Sequence, residues 1–287
     1  MKIQILSCLF TLALFAEEHP PITKLQNGIF AGLGGNYNSV KIDQQLSGTE
    51  FSSVFSGSSL VALGESGGLA NSYHTTHSTL APQVQLGYLH RFSNSSWLLG
   101  CKAVYQYLGV TFTENNLDSF QAGMYTAVSG GGDTWIGHFL IGSSQTHVDH
   151  ELFFLPIFGY FFNDSSAYLG AGPVVFRTQH NLYGIRGFAR INGVTSDIAG
   201  APANLSFSQW MWGGVAQLGW IYPFTSSWFL DLTYSYAVTA NATLQDSVLF
   251  SNSLITGTVY TEEGIAFVKA NQRVTAQSFT VTISKSF

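Results

Sequence analysis

Apolar and polar residues alternate with period two along most of the chain. Strand side chains point to opposite faces in turn, so this alternation predicts half-covered β-strands. The last stretch is the plainest. Phe279, Val281, Ile283, Lys285 and Phe287 share one face, and Ser278, Thr280, Thr282, Ser284 and Ser286 share the other. Trp228, Leu230, Leu232, Tyr234, Tyr236 and Val238 alternate with Phe229, Asp231, Thr233, Ser235 and Ala237. Trp210 to Tyr222 does the same against a face carrying Met211, Val215 and Gln217. Val84, Leu86, Tyr88 and Phe92 alternate with Gln83, Gln85 and Arg91, and Trp97 to Tyr107 with a face carrying Lys102 and Gln106. Ile29, Ala31, Leu33 and Tyr37 open the series, and 148–162 and 167–178 complete it with apolar residues on both faces.

This predicts eight strands of roughly 10–15 residues, where a tilted membrane crossing needs about 9–11. Three similar stretches, Gly87–Gly100, Gly159–Gly170 and Gly219–Leu230, each read as strand, polar turn, strand. Their turns at 93–96, 163–166 and 225–227 are short and rich in Asn, Asp, Ser and Thr, which bond to nearby backbone. The other four connections, about 41–79, 111–147, 179–207 and 241–270, are long and rich in Gly, Ser, Thr and Asn. They read as loops. Gln121–Val128 and Thr134–Ile141, joined through Ser129–Gly132, read as a further hairpin that projects above the membrane, because both arms are short; counted into the barrel it makes ten strands the alternative.

Composition decides what surrounds these strands. Only 9% of the 287 residues are charged, against roughly 25% in ordinary soluble domains, while 15% are aromatic. The net charge is −5 and there is no basic run, so no nucleic-acid partner is expected. Lys2, the apolar stretch Ile3–Phe15 and the small Ala16 form a secretory signal over residues 1–16. Residues 17–27 then form a periplasmic stub, and 28–287 the strand domain. Without the signal one cysteine remains, Cys101, so no internal disulfide is expected. No later run is long and apolar enough for a spanning helix. In a membrane the closed sheet is the alternative. The expected fold is therefore all-β: a transmembrane antiparallel up-and-down barrel in the cell outer membrane. It has short periplasmic turns and four long extracellular loops. A soluble lipocalin-like barrel would turn the bulky face inward, where rows of large rings overfill an eight-stranded interior.

On this reading the bulky rows meet lipid and lipopolysaccharide. Phe92, Trp97, Phe162, Phe224 and Trp228 form an aromatic girdle beside the short turns, with Trp210 and Trp212 in a second girdle at the far strand ends. Arg91, Lys102, Glu151 and Asp231 fall on the inward face. Buried charge is costly unless paired. Either Lys102 and Asp231 meet in the lumen and close it, with Arg91 as candidate third member, or each charge is hydrated in a wet interior. Catalytic and metal sites are not expected. His77–Ser78 are chain neighbours that point opposite ways, and His147, Asp149, His150 and Glu151 make no nucleophile–base pair. His74/His77 and His147/His150 have helix spacing on strand sequence, without further ligands. No cofactor is implied.

Eight alternating strands, short turns, four long connections and a terminal Phe287 resemble the small outer-membrane barrels of the OmpA-type and opacity-type superfamily of Gram-negative bacteria. The likeness covers the chain beyond the signal and is to the barrel alone, without a peptidoglycan-binding domain. It implies that Phe279, Val281, Ile283 and Phe287 act as an insertion signal read by the barrel-assembly machinery. It also implies a structural, surface-displaying role, with the loops contacting host or surface ligands. A narrow porin-like channel and a lipid A-modifying enzyme are the alternatives.

Overall fold

The computed structural model describes residues 27–92, 95–162, 164–191, 194–198, 200–255 and 259–287. The signal segment and nearly all of the stub lie outside them. Eleven strands follow in chain order: β1 (Gly28–Ser56), β2 (Ser59–Leu69), β3 (Tyr73–Arg91), β4 (Trp97–Ala127), β5 (Gly132–Phe162), β6 (Ser165–Ile191), β7 (Val194–Asp197), β8 (Ala203–Pro223), β9 (Trp228–Thr239), β10 (Ala242–Ile255) and β11 (Val259–Ser286). Every ladder is antiparallel.

Ten strands lie on one hydrogen-bonded path, and β7 pairs beside it with β6. The β11–β1 and β4–β3 pairings close the sheet into a ring through β1, β3, β4, β5, β6, β8, β9 and β11. The two expected counts are thus two ways of counting one object. Ten is the number along the path and eight the number of staves around the ring. β2 and β3 both pair with β1, and β9 and β10 both pair with β11, so each couple is one stave with a short break.

The four long connections are built as sheet, not as irregular loops. β4 and β5 each run 31 residues and β1 runs 29. At about 3.3 Å per residue these strands are roughly 100 Å long, several times what a hydrocarbon crossing needs. The hairpin at 121–141 is the upper part of β4 and β5, not an extra pair of staves. Among the described residues, tight turns at Gly57 and at Gly130 and Gly131 stand where loops were expected. Gly57, at φ +61°, turns β1 into β2 in a conformation that L side chains rarely adopt.

Bulges mark where the spanning part ends. Gly109, at φ +58°, sits in a register shift between Tyr107 and Val110, and Asp149 in the facing shift between Val148 and His150. An extra residue resets the side-chain alternation. On β5 it keeps Val148 and Glu151, three residues apart, both inside, while on β4 Leu108 and Val110 stay inside in unbroken alternation.

Candidate functional site

The outer surface divides into zones. Below the bulges it is apolar: Ile29, Leu33, Val84, Leu86, Phe154, Phe158, Leu169, Leu218, Val281 and Ile283 all point outward. Phe279 and Phe287 face the same way. Phe92, Trp97, Phe162, Phe224 and Trp228 are exposed beside the short turns. Trp97 stacks on Phe158 at 4.7 Å, and Lys285 lies over the rings of Trp228 and Phe287. Trp210 and Trp212 are exposed near the other boundary. There the Tyr105 hydroxyl meets His150 Nδ1 at 2.8 Å, and His150 packs against Tyr107 and Trp210. Above this belt the outside turns polar. Lys41 and Asp43 form an exposed ion pair at 2.8 Å, and Lys269, Asn271 and Arg273 point out of β11.

The lumen is filled in tiers. Lowest is an apolar tier with Phe30, Leu89, Leu98, Phe161 and Phe229, where Phe30 meets Phe229 edge to face at 5.4 Å. Arg91 stays here. Its guanidinium lies over Phe161 at 4.5 Å and its Nε donates to Ser95 O, so it does not join the charges above. The lumen therefore takes large rings as well as the small Ser and Thr rows.

The next tier is ionic. Lys102 Nζ lies 3.1 Å from Asp231 Oδ2 and 2.5 Å from the Tyr168 hydroxyl, which donates to Asp231 Oδ1 at 2.8 Å. Gln85 Nε2 donates to Asp231 Oδ2 at 3.1 Å and to Ser284 Oγ at 2.9 Å. The group joins β3, β4, β6, β9 and β11 through the centre of the barrel. Glu151 is not part of it. Glu151 is buried opposite Gln106 on β4, whose amide donates to its carboxylate.

A third tier lies above the belt. His180 on β6 is bonded by Gln44, Gln272 and Thr146 and stacks on Phe207. Burial pushes its imidazole down to about 3, so it stays neutral. Leu46, Leu117, Ile141, Leu182, Leu205 and Val268 pack above it. The topmost tier holds Trp135, Tyr125 and two inward carboxylates, Glu50 and Glu262. The Tyr125 hydroxyl donates to Glu262 at 2.7 Å. Burial first, and the neighbouring Glu262 charge second, push Glu50 up to about 7.

His180, Glu50, Glu262 and Trp135 were not singled out from sequence, because the segments carrying them read as loops. Tyr168 belongs to a strand that is apolar on both faces, so its inward role had no periodic signal. The reactive candidates stay apart. Ser78 accepts from the Tyr37 hydroxyl and His77 packs on Phe112. His147 meets Thr111, and exposed His138 meets Asp118. Among the described residues no group of three or more His, Cys, Asp or Glu could hold a metal ion.

No family model matches the chain. It is 25% identical over 286 residues to Outer membrane protein P1 of Coxiella burnetii, covering 98% of this chain and 94% of that protein. Solved structures similar to it include the attachment invasion locus protein Ail of Yersinia pestis, at 12% identity and TM-score 0.30 over 83% of this chain and 97% of that one. OprG of Pseudomonas aeruginosa has 12% identity and TM-score 0.30, over 91% and 98%. The outer membrane protease OmpT of Escherichia coli has 11% and 0.34, over 94% and 99%. At such scores these three say nothing about activity. A closed antiparallel ring, an apolar outer band between aromatic belts and a full-length relative of that name agree: the chain is a small β-barrel protein of the outer membrane.

Proposed function

We propose that the protein is a sealed barrel that carries a long extracellular β-extension as a contact surface for host or other surface ligands. One row of side chains supports this reading. Register lines up Leu249 on β10, Ile265 on β11, Phe51 on β1, Glu65 on β2 and Met124 on β4 as direct neighbours. They point outward, well above the polar zone of Lys41 and Asp43. Leu249 is 79% exposed and Phe51 53%. Leu249, Ile265 and Phe51 are contiguous and apolar, with Glu65 between them and Met124, and such a patch in water marks a contact site, because covering it is favourable.

The filled lumen supports a structural role over a conducting one. Lipid and lipopolysaccharide are the expected neighbours of the apolar band, and the β11 face of Phe279, Val281, Ile283 and Phe287 is the expected handle for assembly.

The test uses the full chain displayed on a non-adherent Gram-negative strain. Adhesion to cultured cells is expected, with loss of most of it in Phe51→Ser/Leu249→Ser at equal surface display. Unchanged adhesion in that variant rejects the row. In planar bilayers, large stable open steps from the purified protein reject the sealed barrel.

A further inference from the structure

A cavity of about 170 Å³ lies inside the extracellular extension, between the β1/β10/β11 wall and the β4/β5/β6 wall. Its lining is mostly apolar, with Ile185, Ile198 and Val248 among the contributors. Glu50, Gln121 and Trp135 bring polar groups to it from the inward rows, and the exposed Thr49, His138 and Ser251 also line it. An apolar cavity of about 150 Å³ suffices for a benzene ring, so this one takes a single aromatic ring with short substituents.

Two of these side chains carry a buried polar atom with no protein partner. Trp135 is 8% exposed, and its indole Nε1 has no hydrogen-bond partner. Glu50 Oε1 has none either. Leaving a buried donor or carboxylate oxygen unmatched is costly. Glu262 stands beside Glu50, fully buried, with its own Oε2 unmatched. Among the described residues no buried Lys or Arg lies beside the two acids. The one buried Lys or Arg among the described residues is Lys102, tiers below and already paired with Asp231. His180 is neutral.

The wall beside the cavity has a break. β8 pairs with β9 only as far as Gly213–Thr239, and β10 pairs with β11 alone. Above Gly213 no ladder joins β8 to β10 among the described residues. Exposed Ala201, Leu249 and Ser251 lie along this seam and also line the cavity. At this edge the cavity lining reaches solvent.

We propose that this cavity binds a small arylalkylamine, its aliphatic ammonium against Glu50 and an oxygen substituent on its ring accepting from Trp135 Nε1–H. The cation supplies the charge that the Glu50/Glu262 pair lacks, and in a low-dielectric pocket that attraction is strong. The ring meets the apolar walls. The site is independent of the outward row at Phe51 and Leu249.

Full-length protein in lipid nanodiscs, with isoleucine methyl groups labelled, is titrated with tyramine and with 4-ethylphenol, which lacks only the amine. Nuclear Overhauser contacts from tyramine to the Ile185 and Ile198 methyls are expected, with tyramine binding about tenfold tighter or more. Glu50→Gln is expected to erase that preference, and Val248→Phe, which fills the cavity, to remove both ligands. Equal binding of the two probes overturns the amine assignment. Absence of contacts to both methyls, or unaltered tyramine binding in Val248→Phe, overturns the site. If Glu50→Gln does not assemble, the probe pair on the wild-type protein still decides.

Discussion

Lys102 on β4 and Asp231 on β9 face each other inside the lumen, Nζ 3.1 Å from Oδ2, with side chains 1% and 3% exposed. Each satisfies the other, and Tyr168 and Gln85 complete the shell. Removing one partner strands a buried charge. Lys102→Met is therefore expected to cost about 3–5 kcal/mol, and Lys102→Met/Asp231→Leu distinctly less. Urea unfolding of the three proteins in detergent, followed by tryptophan fluorescence, measures this. A double variant as unstable as the single one contradicts it.

Gly219 on β8 leaves room for the Tyr168 ring, since a Cβ there would run into it. Gly219→Val is expected to destabilise by about 1–3 kcal/mol through overpacking. Tyr168→Ala should relieve part of that cost, giving a coupling above about 1 kcal/mol in a double-mutant cycle. Additive costs would show that the ring does not depend on the glycine.

Leu33 and Thr49 both point outward from β1, in the apolar band and far above it respectively. Leu33→Arg should cost about 2–4 kcal/mol, as arginine does near a bilayer midplane. Thr49→Arg should change stability by no more than about 0.5 kcal/mol. Unfolding from lipid vesicles distinguishes the two positions, and equal effects would place the band elsewhere.

Glu50 and His180 give stability opposite pH slopes. The Glu50 carboxyl, raised from 4.5 to about 7 by burial and Glu262, holds a proton in the fold that the unfolded chain releases. Stability is thus lost as pH rises from 4.5 to about 7, by roughly 3 kcal/mol in all. Among the described residues His180 meets Gln44, Gln272, Thr146, Ser144 and Phe207, none of them charged, and burial lowers it from 6.5 to about 3. The unfolded chain takes up its proton first, so stability is lost as pH falls below 6.5, by about 2 kcal/mol at pH 5. Glu50→Gln should therefore become less stable between pH 7 and 5, and His180→Gln more stable. Urea midpoints at the two pH values test the signs, and parallel slopes in the two variants would refute the assignment.

How far the sequence could be read varies along each stave. Phe279 to Phe287 declares both its faces, because lipid accepts only the bulky row and the narrow lumen favours the small one. The same logic places Lys102 and Asp231 inside. It weakens from Val148 to Phe162, where Phe153, Leu155, Ile157 and Phe161 fill the lumen while Phe154 and Phe158 meet lipid. Apolar residues on both faces erase the alternation. Above the belt the signal was present but obscured. Val40, Ile42, Gln44 and Leu46 are buried in strict alternation with Lys41, Asp43 and Gln45. Their polar outer row, which faces water, resembles loop composition.

The sequence by itself determined the sheet, the face turned to hydrocarbon, the side of the short turns and the inward charges, because each follows from a periodicity of two and the cost of polar atoms in lipid. Only the tertiary structure decided how far the staves continue, which inward groups meet, and where a cavity and a seam remain. Those depend on the shear of the ring and on residues such as Gln44 and Gln272, 228 positions apart, and closure of the barrel is what brings them within reach of one another.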